Sequence, residues 1–244
     1  MNVNDQARHG SLVDVYVNVV PLKLIETLNA TIDETRHDWK PTDGRRESVM
    51  AQSFAELLRE NAAFHAIETQ VCAAAQLWAT TVLKREVSDD PLHVLRCVDP
   101  RADSQSYLRH FDSHILTMLV PLQLAPNGER NGDLVMRIFQ REAKSATANF
   151  LTKTYLFFEH GLPFLIRRSL ATRDLSNANS QRIVCRPGNV YVFNGLITLH
   201  HNLDVGVGER RMLIIHHYDA GLTAGARTVI RSFRILLDRL AGIY

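Results

Sequence analysis

At 244 residues, with 45% apolar side chains and a net charge of +2, the chain is long enough for one sizeable core and carries no field suited to nucleic acid or an anionic membrane. Its three cysteines are far apart and form no C-x-x-C pair, its first residues are polar, and no apolar run nears the ~18 residues of a membrane span. A reducing, cytoplasmic setting is therefore expected, with a small molecule as the main partner; a homo-oligomer is not readable from the sequence.

Residues 1–12 read as a loose arm. Val13, Val15, Val17 and Val19 alternate and predict a first strand over 13–20. Pro21 opens a helix that carries Leu22, Leu24, Ile25, Leu28 and Ile32. A polar loop over 40–47 precedes two helices, 50–59 and 62–83, with Phe54, Leu58, Phe64, Val71 and Trp78 on their core-facing stripes. From Pro91 the character changes to strand: 92–98, 107–109, 115–124 and 134–139, with the Gly/Asn hairpin loop PNGERNGD between the last two. Residues 141–180 are less regular. Their first half has helical composition, and FLIRRSLATRDLSNANSQ reads as loop, so the segment is expected to be an insert that covers a substrate. Its apolar run Tyr155-Leu156-Phe157-Phe158 would suit a partly apolar substrate or core, and Arg167 and Arg168 read as solvated, with an acidic substrate group as the alternative partner.

Ile183 resumes the sheet. Pro187-Gly188 makes a turn before a strand over 190–193, Asn194-Gly195 is a hairpin signal, and a Gly-rich loop through Gly206 and Gly208 separates Leu199-His200-His201 from a strand over 210–218. The end, about 225–242, has Val229, Ile230, Phe233, Leu236, Leu237 and Leu240 on one side of an amphipathic helix. Helices, then many short strands, then a closing helix favour a mainly β fold with flanking helices: a β-sandwich or jelly-roll core over about 91–220, a helical part over about 21–84, the 141–180 insert and the C-terminal helix, all in one domain, 1–244. The order argues against a doubly wound sheet, where strand and helix alternate.

Eleven histidines matter by placement. H-x-D occurs twice, at His110-Phe111-Asp112 and His217-Tyr218-Asp219, and only the first has a histidine downstream in a strand-and-turn context, His200. Two imidazoles and one carboxylate on one face of an octahedral metal leave three positions open, the usual holder of non-haem Fe(II). Both residues that complete the pattern have like neighbours. His201 adjoins His200, and in a strand only one of them faces the metal. Arg210 shares a face with Met212, Ile214 and His216, and Arg211 shares the other with Leu213, Ile215 and His217; both faces are apolar, so hydrophobicity does not decide. His114 makes H-x-x-x-H with His110, a zinc spacing on a helix, but 115–120 reads as strand and the H-E-x-x-H glutamate is absent, which disfavours a zinc hydrolase. His216 and His217 read as core or pocket histidines.

YLRHFDSHILTMLVPLQL and LHHNLDVGVGER together resemble the Fe(II)- and 2-oxoglutarate-dependent dioxygenases, over about 108–125 and 187–218. The second stretch resembles that family's H-x-V-x-x-V-x-x-G-x-R box, with Val205, Gly208 and Arg210 in register from His200 and Asn202 where an apolar residue is commoner. The resemblance implies a double-stranded β-helix, that is, a jelly-roll core. It implies His110, Asp112 and His200 as the catalytic iron ligands and Arg210 as the partner of the distal carboxylate of 2-oxoglutarate. The box register favours His200 over His201 and Arg210 over Arg211, with both neighbours left as alternatives. Thr117 and Tyr107 are further candidates to bind the co-substrate, or else buried strand residues. Related halogenases have Gly or Ala where this chain has Asp112, so the implied reaction is hydroxylation, desaturation or cyclisation at a C–H bond of a small molecule. It would use O₂ and release succinate and CO₂. The alternatives are a cupin-type metalloenzyme that uses no 2-oxoglutarate and a non-catalytic jelly-roll binding module.

Overall fold

The protein's structure, a computed structural model, describes residues 12–35, 46–47, 49–84, 86–87, 89–100, 106–125, 130–140, 155–156, 158–177 and 179–220. The expected C-terminal helix and the first part of the insert lie outside them. Among the described residues are nine strands, four α-helices with described bounds, and further helical residues at 155–156 and 158–160.

The helical part comes first. In α1 (Leu22–Thr35) Ile25, Leu28 and Ile32 are buried at three- and four-residue spacing. In α2 (Val49–Arg59) the buried side is Ala51, Phe54, Ala55 and Leu58. The next helix, α3 (Ala62–Trp78), starts at Asn61, whose side chain accepts from the Phe64 N–H at 3.0 Å, and buries Phe64, Glu68, Val71, Ala75 and Trp78. It continues as one π-turn, Ala79–Leu83, and stops at Lys84 in the left-handed conformation (φ 52°). The expected first strand shortens to β1 (Asp14–Tyr16), because Asn18 turns left-handed at φ 55°.

The other strands are β2 (Arg46–Glu47), β3 (Leu92–Val98), β4 (His114–Gln123), β5 (Leu134–Gln140), β6 (Ser180–Ile183), β7 (Val190–Asn194), β8 (Thr198–Asn202) and β9 (Arg210–Asp219). They form two sheets with only antiparallel pairs: six strands in the order β1-β7-β4-β9-β3-β2, and three in the order β6-β5-β8. Strand alternation gives the large sheet two apolar faces. Val120, Val192, Leu213 and Ile215 pack with α1, α2 and α3. Leu119, Tyr191, Phe193 and Met212 pack with Leu134, Met136 and Ile183 of the small sheet. The layers are thus helices, large sheet, small sheet.

A fourth layer corrects the loop expected after residue 163. Residues Phe164–Leu175 form a helix, α4, that begins at Pro163 and buries Arg167, Ala171 and Asp174. Its spacing is helical, but its buried face is largely charged, so hydrophobic periodicity does not report it. Ala171 and Phe164 pack with Val135 on the outer face of the small sheet. The described part of the expected cover is therefore a layer behind that sheet. Arg167, expected to be solvated, is buried and donates to the Ser106 carbonyl at 3.4 Å. Among the described residues no helix is long and apolar enough to cross a membrane.

Candidate metal centre

The chain from 106 to 113 leaves the regular sheet and runs along β8. His110 and His200 exchange backbone hydrogen bonds of 2.9 and 3.0 Å, and the Asp112 N–H donates to the Gly195 carbonyl at 2.9 Å. These bonds set the side chains of His110, Asp112 and His200 on one spot between the two sheets, where their ligand atoms all lie within 4.8 Å of one another. Nε2 of His110 is 3.6 Å from Asp112 Oδ1, and Nε2 of His200 is 3.6 Å from Asp112 Oδ2. The two imidazole centroids are 4.3 Å apart.

Both rings are held from behind. Nδ1 of His110 lies 2.8 Å from the Leu108 carbonyl, and Nδ1 of His200 lies 3.0 Å from the Thr198 carbonyl. A carbonyl only accepts, so each Nδ1 carries the proton and each Nε2 presents a lone pair to the shared spot. Burial and the facing His200 push the His110 imidazole well below its usual pKa, which keeps it neutral. Burial by itself would raise the Asp112 carboxyl. The His200, His216 and His110 imidazoles and the Thr117 hydroxyl outweigh it and hold Asp112 well below the usual carboxylate range. With both Nδ1 atoms turned to backbone carbonyls, the two Nε2 atoms and the Asp112 carboxylate form a two-imidazole, one-carboxylate donor set of the kind that holds a divalent metal. His200 is buried, whereas 34% of the His110 side chain is exposed, so the open side of the cluster is at His110.

Thr117, on β4, belongs to this cluster. Its hydroxyl donates to Asp112 Oδ2 at 2.5 Å and lies 3.1 Å from His216 Nδ1. Gly195 completes it in a way the hairpin signal did not indicate. Gly195 does not adopt a left-handed φ. What matters is its missing side chain: a Cβ there would sit 2.8 Å from Asp112 Cβ and in hard contact with the Asp112 carboxylate and the Thr117 hydroxyl.

Strand alternation separates the like neighbours. His200 pairs with Met136 and faces the interior between the sheets, where Phe193 meets its ring edge-on at 5.0 Å. His201 pairs with Val135 on the opposite face, and burial, with Arg109 and His200 nearby, lowers its pKa to about 3. Arg210 points inward: Nη1 donates to the Gly132 carbonyl at 2.7 Å and to Asn202 Oδ1 at 2.8 Å. It is 3% exposed, its Nε has no hydrogen-bond partner, and among the described residues no carboxylate pairs with it. Burial lowers its pKa. Arg211 points to the helices and pairs with Asp33 and Glu209. The departure at Asn202 thus has a partner, the Arg210 guanidinium.

Tyr107 is not brought to the cluster. It sits at φ 60°, its hydroxyl donates to Asp204 Oδ1 at 2.7 Å, and its ring packs on Phe164 in the outer layer. Arg109 was not singled out by the sequence. It joins the metal-facing segment to the outer layer through Glu159 (2.6 and 2.7 Å) and Asp174 (3.2 Å), and both of these carboxylates are buried. Leu156 tucks between Phe111 and Leu199, while Tyr155 and Phe158 of the same apolar run are exposed.

No protein-family model and no curated protein matches this sequence. Solved structures do match in fold. One is a prolyl-4-hydroxylase of Pseudomonas putida, with a TM-score of 0.50 and 15% identity over 88% of this chain and 96% of that one. Another is from the prolyl 4-hydroxylases of Phytophthora capsici, with a TM-score of 0.51 and 13% identity over 98% of this chain and 70% of that one. At these identities the likeness is one of fold.

Proposed function

We propose that the protein is a non-haem Fe(II)- and 2-oxoglutarate-dependent oxygenase on a double-stranded β-helix, and that it hydroxylates a C–H bond of a small-molecule substrate. The observation that carries this reading is the convergence of His110, Asp112 and His200 with both Nε2 lone pairs directed at one spot. The two-sheet core and the fold-level likeness to prolyl hydroxylases support it.

Bound there, Fe(II) would supply the redox chemistry that couples O₂ and the decarboxylation of 2-oxoglutarate to C–H oxidation. Everything else falls to the chain. His110, Asp112 and His200 would hold the metal with three protein ligands and leave room beside it for the co-substrate. Thr117 takes Oδ2 of Asp112, which leaves Oδ1 for the metal. Arg210 offers a buried cation with a donor to spare; Asp133 acts on it only at longer range, and an oxo acid's distal carboxylate would supply a hydrogen-bonded partner. Met136, Phe193 and Met212 line the interior between them and exclude water. The exposed edge of His110 is where a substrate would approach. A cupin-type enzyme that uses no oxo acid would leave the buried Arg210 Nε without a hydrogen-bond partner, at a cost in stability.

The test is an anaerobic titration. Fe(II) followed by 2-oxoglutarate is expected to give a weak visible charge-transfer band only when both are present, and His110→Ala is expected to abolish it. Tight iron binding with no band would replace this reading with an oxo-acid-independent metalloenzyme. The absence of both iron binding and the band would leave a binding module.

A further inference from the structure

On the helix-facing side of β9, across the large sheet from the first cluster, a second set of ligand atoms converges. Cys72 comes from α3, Asp89 from the segment before β3, and His217 from β9. The Cys72 thiol, an Asp89 carboxylate oxygen and a His217 ring nitrogen lie within 4.8 Å of one another. Nδ1 of His217 is 3.0 and 3.3 Å from the two Asp89 oxygens. Its Nε2 is 3.1 Å from Glu68 Oε1, and Arg59 grips the Glu68 carboxylate with two hydrogen bonds of 2.7 and 2.8 Å.

We propose that Cys72, Asp89 and His217 form a second metal site, for a zinc-like divalent transition metal, in which Glu68 orients His217. The donor set selects the metal class. A thiolate with an imidazole and a carboxylate suits Zn²⁺ or Co²⁺ and excludes Mg²⁺ and Ca²⁺, which take oxygen ligands. The spacing also fits. Donors about 2.0–2.3 Å from a tetrahedral zinc stand roughly 3.3–3.8 Å apart, a small adjustment from the distances present. The supporting layer is already built: Glu68 on Nε2 directs Nδ1 to the other ligands, and Arg59 fixes Glu68, the carboxylate–histidine–metal arrangement.

The backbone is arranged around the same place. Tyr218 holds φ 60°, rare for a non-glycine residue, and its buried side chain joins the helix-facing core beside His217. Asp89 is 37% exposed and Cys72 is half-buried, which leaves the metal a way in and a fourth position for water. Metal binding would tie α3, the segment before β3 and β9 together.

The experiment uses the full-length protein stripped by chelator, with Co(II) as the probe. A thiolate ligand gives an intense near-ultraviolet sulfur-to-cobalt band, which the histidine and carboxylate ligands of the first cluster cannot produce. The expected result is that band, saturating at one equivalent and displaced by Zn(II). It should be lost in Cys72→Ser, and the affinity should fall tenfold or more in Asp89→Asn, an exposed and conservative change. Glu68→Gln should keep the band but weaken cobalt by roughly 10–100-fold, the size of a supporting-layer effect. No band in the parent protein, or a band that survives Cys72→Ser, would overturn the site. This readout is separate from the iron and 2-oxoglutarate band, so either site can fail without the other.

Discussion

Arg210→Met offers the sharpest test of how the site holds its co-substrate. Arg210 is buried, its Nη1 is spent on Gly132 and Asn202, and its Nε is unused. A carboxylate bound there would be a buried partner of a buried cation, and removing one side of such a pair costs about 3–5 kcal/mol. At 1.4 kcal/mol per tenfold, 2-oxoglutarate should bind roughly two to three and a half powers of ten more weakly. Folding should change far less. Methionine leaves the Gly132 carbonyl and the Asn202 oxygen without a donor, at about 1–3 kcal/mol each, but it also removes a cation that burial penalises. The assay is calorimetric titration of 2-oxoglutarate into Mn(II)-loaded protein under argon, with thermal denaturation alongside. Arg211→Met is the control: it faces Asp33 and Glu209 on the other side of the sheet, so it should lose stability and keep the co-substrate. If Arg210→Met binds 2-oxoglutarate as tightly as the parent protein, the assignment of the anchor is wrong. If Arg211→Met is the one that fails, the register of β9 is wrong.

Three further outcomes follow from the same geometry. Gly195→Ala drives a methyl group into Asp112 and Thr117, so metal affinity should fall by roughly 10–100-fold in a competition titration while circular dichroism stays native. Thr117→Val keeps the shape but removes the donor to Asp112 Oδ2; metal affinity should fall by a similar factor, and Thr117→Ser should restore most of it. The third concerns pH in metal-free protein. The carboxyl of Glu68 falls from 4.5 to about 2, since the His217 and Arg59 hydrogen bonds outweigh burial, and His217 rises from 6.5 to about 10. A lowered acid stabilises above its unfolded pKa, and that contribution is lost as pH falls through about 2. A raised base stabilises below its unfolded pKa, and that contribution is lost as pH rises through about 10. The melting temperature measured in chelator should therefore peak between about 4.5 and 6.5 and decline toward 10, and His217→Asn should flatten the alkaline arm. An alkaline arm unchanged in that variant would remove His217 as its source.

The parts of the site legible in the sequence are those whose chemistry sits in short spacing. His110, Asp112 and His200 stand out because an H-x-D pair and a later histidine, each near strand patterning, leave few ways to build a cluster. Other features needed the third dimension. The outer helix α4 was hidden because its buried face carries Arg167 and Asp174, which pattern reading assigns to solvent. Tyr107 looked available because a strand was expected at 107–109, but a left-handed φ carries its hydroxyl to Asp204. Gly195 read as a turn former, whereas its role is the room it leaves beside Asp112. Arg59, Glu68, Cys72, Asp89 and His217 are spread over about 160 positions, and local spacing joins only Glu68 and Cys72, one turn apart on α3.

The adjacent pairs His200-His201, Arg210-Arg211 and His216-His217 share one logic. In each pair one residue enters the interior between the sheets and the other leaves it, because strand side chains alternate. A slip of one residue in β9 would exchange Arg210 for Arg211 and His216 for His217, and hydrophobic pattern alone would not oppose it, since both faces of β9 are apolar. The outward members supply the opposition. Arg211 is tied to Asn29 and Asp33 on α1, and His217 to Glu68 on α3 and to Asp89. A slipped strand would break the ion pairs of Arg211 and His217 and leave buried Glu68 with Arg59 alone, while apolar contacts would merely be exchanged. The charged groups that never meet the co-substrate are thus what hold Arg210 and His216 on the side of the sheet where His110, Asp112 and His200 meet.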